Sequence, residues 1–267
     1  MNDLSLIPEY LAFLFIAVTM LFYYDKKSIP NQQRGLYWMC LVSTMCSIVL
    51  DIAAVWVEIN DAPLPVWARF ALNTAYYMVT ILMTLFISCY LLRRVYEHAS
   101  NPRGLTLATG VLLFLGASYA LGLIENTFSG RIFWLDASGI YRRGDLMPLV
   151  YAAPVIEALL IIICYLRNSH SVSKSLTKIV RNVPLLMLPL VAFQLLYPNL
   201  LLNGTYGTLV CFIILISFQS SRLEIDPLTE LGNRMSFVSE LERRRGHNQD
   251  YQVIFVALRR FTQVNQV

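Results

Sequence analysis

The stretch Ser221-Arg-Leu-Glu-Ile-Asp-Pro-Leu-Thr-Glu-Leu-Gly-Asn-Arg234 divides the chain into two parts of different character. The residues before it form one long series of apolar segments, and the residues after it are mostly polar. Apolar segments of this length are typical of membrane helices, and polar tails of soluble modules. We therefore expect a membrane domain at residues 1–221 and a linker with a soluble segment at residues 222–267.

The composition excludes an ordinary soluble protein. Hydrophobic residues make up 57% of the 267-residue chain, charged residues only 14%, and the mean hydropathy is +0.55. Soluble domains carry about 25% charged residues, so we expect the lipid bilayer to be a partner. The net charge of +4 is small. It is typical of basic cytoplasmic loops, and we predict no nucleic-acid partner.

The apolar part predicts an all-α bundle of seven transmembrane helices. A helix needs about 20 apolar residues to cross a bilayer. Segments that meet this need lie at residues 6–24, 36–57, 67–92, 105–124, 147–166, 179–197 and 200–220. The sixth segment contains Pro184 and Pro189, which membrane helices tolerate when neighbouring helices satisfy the freed carbonyl groups.

The loop charges predict an outer N-terminus and a cytoplasmic C-terminus. One set of loops carries most of the basic residues, namely Lys26, Lys27, Arg34, Arg93, Arg94, Arg103, Arg167, Lys174, Lys178 and Arg181. The short loops of the opposite set carry Glu58 and Asp61, and one longer loop adds Arg131, Arg142 and Arg143. Lys and Arg concentrate in cytoplasmic loops, so the first set is expected inside.

Polar residues recur at helical spacing in the second and third spans. Cys40, Ser43, Ser47 and Asp51 share one face, and Asn73, Tyr76, Tyr77, Thr80 and Thr84 share another. Both faces should point into the bundle, because lipid penalises polar groups. A stabilising polar network, an outward-facing ligand pocket and an ion or proton path all fit this pattern. The candidate ligand-binding residues are Asp51, Arg69, Asn73, Tyr76, Tyr77, Glu157 and Gln194.

Asp51 and Glu157 are the acidic residues deepest in their predicted spans. A charge at the centre of a membrane helix costs about 2.5–3.5 kcal/mol on insertion scales. Each acid therefore needs a partner or a proton, and Arg69 or Asn73 of the third span are the predicted partners of Asp51. The five cysteines all lie within apolar segments and form no Cys-x-x-Cys pair, so we expect packing residues and no metal site.

The loop at residues 125–146 predicts an outer β-hairpin. Arg131-Ile-Phe-Trp-Leu135 and Ile140-Tyr-Arg-Arg143 are suited to strands, and Asp136-Ala-Ser-Gly139 between them to a turn. Such a hairpin would cover the outer mouth of the bundle, either as a lid over a ligand or as an ordinary structured loop.

The polar tail carries a recognisable motif. Asp226-Pro-Leu-Thr-Glu-Leu-Gly-Asn-Arg234 resembles the opening of GGDEF domains, the diguanylate cyclase family, whose pattern is Asp-x-Leu-Thr-Gly-Leu-x-Asn-Arg. Glu230 replaces the glycine of that pattern. The resemblance implies an α/β segment, with a helix at residues 235–245 and a buried first strand at Gln252-Val-Ile-Phe-Val-Ala-Leu258. It covers only the start of a GGDEF domain, so the segment is expected to be truncated or vestigial.

The residues after this strand depart from the active family pattern. Active members have Asp-x-Asp-x-Phe-Lys-x-Ile-Asn-Asp, where this chain has Ala257-Leu-Arg-Arg-Phe-Thr-Gln-Val-Asn-Gln266. Phe261 and Asn265 match as vestigial nucleotide positions. Ala257 replaces an aspartate that binds Mg²⁺, and alanine offers no oxygen ligand. The resemblance therefore implies GTP and Mg²⁺ only for complete, active relatives, and we predict that this chain has no cofactor and no cyclase activity.

These observations together predict a multi-pass receptor of the bacterial inner membrane. An extracellular or intramembrane small molecule would change the packing of the seven helices and so alter a GGDEF-type output in cyclic di-GMP signalling. Homodimerisation through the output region is expected. The alternative is a small transporter or channel with an incidental tail, in which Asp51 and Glu157 would couple to ions.

Overall fold

The computed structural model describes residues 6–23, 31–60, 62–97, 102–136, 139–169, 172, 174–197, 201–222, 226, 229, 231–246 and 251–256. The chain separates into two compact units, Met1–Arg222 and Leu223–Val267. This boundary lies one residue from the one that the sequence predicts.

The first unit is built from long apolar helices. They are α1 (Ile7–Tyr23), α2 (Asn31–Ile59), α3 (Val66–Tyr96), α4 (Pro102–Ser129), α5 (Met147–Asn168), α6 (Lys174–Leu196) and α7 (Asn203–Arg222). Each of the seven predicted apolar segments is thus confirmed as a helix. Proline marks the start of α3, α4 and α5, where its fixed φ suits the first turn and its missing N–H costs nothing. Pro184 and Pro189 lie inside α6 without ending it.

Five of these helices, α2 to α6, are long and apolar enough to cross a membrane. The apolar parts of α1 and α7, Ile7–Leu21 and Asn203–Ser217, are shorter. Large apolar side chains cover the outside of the helices; Phe114, for example, is 71% exposed. A water-soluble protein does not expose apolar surface on this scale. The chain is therefore a mostly helical, multi-pass membrane protein by the length and composition of its helices.

Helix α3 occupies the centre of the first unit. It packs against α2, α4 and α5 and also touches α6 and α7, while α1 and α7 pack against each other and both against α2. The main core consists of apolar side chains from these helices, among them Tyr37, Met83, Leu91 and Val210. The position of α3 explains why its polar face meets so many neighbours.

A two-stranded antiparallel hairpin joins α4 to α5, as predicted. It consists of β1 (Phe133–Leu135) and β2 (Tyr141–Arg143), with Phe133 opposite Arg143 and Leu135 opposite Tyr141. Gly139 has a φ of 78°, a left-handed conformation that glycine adopts without strain. The buried Asn126 of α4 holds β1, because its amide donates to Phe133 O at 3.0 Å and accepts from the N–H of Ile132 at 2.7 Å.

The second unit contains helix α8 (Arg234–Gly246), which confirms the helix predicted at residues 235–245. Asn233 caps it, since Asn233 Oδ1 accepts from the N–H of Met235 at 2.8 Å. Asp226 Oδ1 accepts from the N–H of Thr229 at 2.9 Å, so motif residues close a tight turn before the helix.

The buried strand predicted at residues 252–258 is wrong for residues 252–256, which adopt no regular structure and are exposed, and residues 257 and 258 lie outside the described residues. Ile254 and Phe255 are 83% and 87% exposed. A strand needs neighbouring strands to pair with, and the described residues of this unit provide none. Ala257, Phe261 and Asn265 lie outside the described residues, so the predicted nucleotide positions stay predictions.

Candidate functional site

A cavity of about 400 Å³ lies within the helix bundle at its hairpin end. We call it the hairpin-side cavity. Its walls come from α2, α3, α5, α6, α7 and β2. Five of the seven predicted ligand-binding residues line it, namely Asp51, Asn73, Tyr76, Tyr77 and Gln194. The residues singled out for their polarity therefore converge on one space, although they come from three different helices.

The polar faces of α2 and α3 meet inside the bundle, as predicted. Ser47 and Asp51 are 1% and 3% exposed. The hydroxyl groups of Ser47 and Thr80 lie 2.9 Å apart, which links the two helices directly. Such pairs satisfy polar groups that water cannot reach, and they fix the register of α2 against α3 beside the cavity.

The partner predicted for Asp51 was wrong, although its burial and the helix that supplies the partner were right. The Asp51 carboxyl meets the hydroxyl of Tyr76. Asn73 instead donates to Arg69 O at 2.9 Å. Arg69 donates to Ala62 O at 2.7 Å and to Leu64 O at 3.3 Å. The arginine is long enough to reach the loop between α2 and α3, and it satisfies the carbonyl groups there.

Tyr76 links Asp51 to the start of α7. Its hydroxyl accepts a hydrogen bond of 2.6 Å from Asn203 Nδ2, which leaves the single hydroxyl proton for Asp51. Oδ2 of Asp51 has no hydrogen-bond partner among the described residues. A buried carboxyl oxygen without a partner is unfavourable by several kcal/mol when the group is ionised. Oδ2 of Asp51 is therefore an unusual atom in the cavity wall.

Glu9 is a second fully buried acid, and the sequence reasoning missed it. Its Oε1 accepts from the N–H of Gly204 at 3.1 Å, and the N–H of Thr205 also bonds to the carboxyl group. These are N–H groups of the first turn of α7, which lack partners within the helix. The positive end of the helix dipole lies there and favours a carboxylate. Glu9 thus joins α1 to α7 near Asp51, and its Oε2, like Asp51 Oδ2, has no hydrogen-bond partner among the described residues.

Two predicted site residues lie away from the hairpin-side cavity. Arg69 borders a separate void of about 10 Å³ beside Gly139 of the hairpin turn. Glu157 borders another void of about 10 Å³ deeper in the bundle. The Glu157 carboxyl accepts from Ser88 Oγ at 2.8 Å and from Thr84 Oγ1 at 3.4 Å. Both oxygens of Glu157 are therefore satisfied within the bundle, in contrast to Oδ2 of Asp51.

The hairpin contributes directly to the cavity wall. The hydroxyl groups of Tyr77 and Tyr141 lie 2.6 Å apart, which ties α3 to β2. Burial raises the pKa of Tyr141 to about 12, so its hydroxyl stays protonated at neutral pH. Arg142 lies at the same end and pairs with Asp136 at 3.3 Å. The Tyr77–Tyr141 contact therefore ties the hairpin to the cavity wall, and the Arg142–Asp136 pair lies within the hairpin itself.

The cavity also contains residues that the sequence analysis did not select. The polar ones are Glu58, Thr80, Thr84, Tyr141, Arg142, Arg143, Tyr151, Asn203 and Tyr206. Thr80 was on the predicted polar face of the third span, and Tyr141 was in the predicted hairpin. Asn203 and Glu9 were detectable as polar residues at the edges of apolar segments, but no local pattern connects α1 with α7.

The described part of the chain has no group of three or more His, Cys, Asp or Glu side chains that could hold a metal ion. The arrangement instead offers one unsatisfied carboxyl oxygen, several tyrosines and several amides around a space of ligand size. We compared the chain with known protein families, with curated proteins and with solved structures, and none matches it.

Proposed function

We propose that the protein is a small-molecule receptor of the bacterial inner membrane. All seven long helices cross the bilayer, the N-terminus and the hairpin are outside, and the polar tail is in the cytoplasm. The hairpin-side cavity binds the ligand, and the tail acts as a GGDEF-type output that has lost catalysis. The output regions of two chains associate to form a homodimer.

The cavity and its unsatisfied Asp51 oxygen are the observation that supports this proposal most strongly. A volume of about 400 Å³ falls within the about 300–1,000 Å³ of small-molecule sites. A bundle selected only for stability would fill such a space with apolar side chains and satisfy its buried polar atoms. The bundle satisfies both oxygens of Glu157. Glu9 Oε2 also has no partner among the described residues, but Asp51 is the one of these two acids that lines the cavity.

Helix α7 provides the route from the cavity to the tail. Its first residue, Asn203, bonds to Tyr76, and Tyr206 lines the cavity one turn later. The same helix continues to Arg222, directly before the tail. A ligand that binds one packing of α7 better than another shifts the population toward that packing. The change then reaches the tail through a single continuous helix.

The local structure of the tail agrees with a signalling role. Asp226, Thr229 and Asn233 are motif residues, and they make the turn and helix cap that position α8. The absence of the metal-binding carboxylate at Ala257 makes the output a regulatory or partner-binding element. Signal output then depends on how two tails are placed relative to each other.

Filling the cavity tests the receptor proposal. Ala54 lines the cavity, and Ala54→Trp should occupy much of it. The matched control is Ala117→Trp, at an exposed position of α4. We would screen a library of small polar molecules for thermal stabilisation of the chain in lipid nanodiscs and follow hydrogen exchange of α7. Binding should protect α7 in the wild type and the control but not in Ala54→Trp.

Uptake experiments with the same ligand separate the receptor from the transporter alternative. The chain in sealed liposomes should bind the ligand without carrying it across the membrane. Transport into the liposomes that stops in Ala54→Trp would contradict the receptor and favour a transporter. A ligand that protects α7 equally in Ala54→Trp would show that the cavity is not the receptor site.

A further inference from the structure

The carboxyl group of Asp51 in the wall of the hairpin-side cavity indicates which ligands fit the cavity. Asp51 is 3% exposed, and its Oδ2 has no hydrogen-bond partner among the described residues. The carboxyl group lines the cavity, so a bound molecule can reach it. A buried carboxylate is stable only beside a positive charge or with hydrogen bonds to both oxygens. The bundle supplies one hydrogen bond, from Tyr76.

The other acid near Asp51 is Glu9, which does not line the cavity and is only partly compensated, because its Oε2 has no hydrogen-bond partner among the described residues. Glu9 bonds to the N–H groups that open α7, and the helix dipole adds to this stabilisation. Glu9 also lies close enough to Asp51 for two negative charges to repel each other. A cation bound in the cavity beside Asp51 would give Oδ2 a partner and would offset the repulsion from Glu9.

Two arginines at this end of the bundle, Arg142 and Arg143, line the cavity beside Tyr141. The side chain of Arg142 is 56% exposed and pairs with Asp136. Arg69 donates to the carbonyl groups of Ala62 and Leu64. Neither contact involves Asp51. Because Asp51 Oδ2 has no hydrogen-bond partner among the described residues, a bound molecule can provide one.

Aromatic rings form much of the remaining cavity wall. Tyr76, Tyr77, Tyr141, Tyr151 and Tyr206 all line it. The rings of Tyr76 and Tyr77 lie 5.0 Å apart between centroids. Tyrosine rings attract cations and pack well against flat apolar groups. An acid surrounded by tyrosines is therefore suited to an organic cation rather than to a bare metal ion, which needs several oxygen ligands.

We propose that the hairpin-side cavity binds a small organic cation, with an ammonium group at Asp51 Oδ2 and the apolar body of the molecule against the tyrosines. This inference rests on the proposed receptor function and adds the chemical class of its ligand. The ammonium group donates to the unpartnered oxygen, and the carboxylate becomes paired without any change in the bundle.

A series of three molecules of nearly equal size and different charge tests this inference. Phenethylamine is a cation, phenethyl alcohol is neutral and phenylacetate is an anion at neutral pH. Binding to the full chain in lipid nanodiscs would be measured by calorimetry. Because a charge-assisted hydrogen bond is about twice as strong as a neutral one, phenethylamine should bind at least about tenfold more tightly than phenethyl alcohol. Phenylacetate should bind most weakly.

Two matched substitutions locate the effect. Asp51→Asn keeps the size of the side chain and removes its charge, so it should abolish the preference for phenethylamine and leave phenethyl alcohol binding unchanged. Glu157→Gln makes the same change at a buried acid that does not line the cavity and whose oxygens are both satisfied, and it should keep the preference. The wild-type ranking decides the question even if Asp51→Asn does not fold.

Each other result overturns the inference. Equal or tighter binding of the neutral or anionic molecule would exclude a cation site, and so would no binding of phenethylamine at millimolar concentration. An unchanged preference in Asp51→Asn would place the charge recognition elsewhere. The receptor proposal itself survives these results if another molecule still protects α7 and Ala54→Trp prevents it, so the two failures are distinguishable.

Discussion

Gly204 lies where α7 meets the carboxyl group of Glu9, and an added methyl group there should destabilise the bundle. A Cβ at position 204 would overlap Glu9 Oε2 and Ile48 Cγ1 and would lie 3.0 Å from Glu9 Cδ. The substitution Gly204→Ala therefore pushes the Glu9 carboxyl group away from the start of α7. It also breaks the hydrogen bond that this carboxyl accepts from the N–H of residue 204.

The expected loss follows from three contributions. Overpacking a filled site costs about 1–3 kcal/mol, and a lost hydrogen bond to a charged group costs about 1.5–3 kcal/mol. Alanine offsets about 1 kcal/mol of this through its higher helix propensity. The free energy of unfolding should fall by about 1.5–5 kcal/mol, which lowers the melting temperature of a chain of this size by about 3–20 °C.

Gly110→Ala is the matched control, because a Cβ there has no atom within 4 Å. This variant should gain about 1 kcal/mol from helix propensity and melt slightly above the wild type. Thermal unfolding of the two variants would be followed by circular dichroism in the same detergent. If Gly204→Ala melts as high as Gly110→Ala, the close contact between Glu9 and α7 is refuted, and with it the account of why Glu9 is stable.

Three further predictions concern the hairpin, the topology and the tail. Asn126→Ala should leave β1 without its three hydrogen bonds to the Asn126 side chain of α4. It should lower the free energy of unfolding by about 2–3 kcal/mol and increase proteolysis within the hairpin. Unchanged proteolysis would argue against this anchoring. Cysteines placed at Asn31, Asn101 and Ser171 in a cysteine-free chain should react with an impermeant reagent only from the cytoplasmic side, and outer labelling at two of them would reverse the topology. The purified chain with GTP and Mg²⁺ should produce no cyclic dinucleotide, and any product would show that Ala257 does not prevent metal binding.

The helices could be predicted from the sequence because each signal is local. A run of about 20 apolar residues is stable in lipid as a helix, because a helix satisfies the hydrogen bonds of its backbone groups within the segment. The hairpin was predictable for a similar reason: Gly139 supplies the turn between two short segments rich in aromatic residues. The exposed residues at 251–256 show the limit of such signals, because a strand depends on partners elsewhere in the chain.

The site was only partly predictable, because its connections are long-range. Helical periodicity placed Ser47 and Asp51 on one face and Tyr76 on another, and these faces do meet. The link from Tyr76 to Asn203 spans 127 residues, and the link from Glu9 to Gly204 spans 195. No spacing rule connects such positions. The hydrogen bonds of Arg69 to the α2–α3 loop could not be predicted either. When only the helical segments are known, an ion pair with Asp51 is the simpler expectation.

The central claim is that a ligand in the hairpin-side cavity moves α7, and a distance measurement tests it most directly. Spin labels would be placed at Leu166 of α5 and Ile216 of α7, which are both exposed, at 65% and 49%. Helix shifts in switching proteins are typically about 1–2 Å. Saturating phenethylamine should change the distance between the labels by about this amount in the wild type and leave it unchanged in Asp51→Asn. An unchanged distance in a wild-type chain that demonstrably binds the amine would contradict the claim.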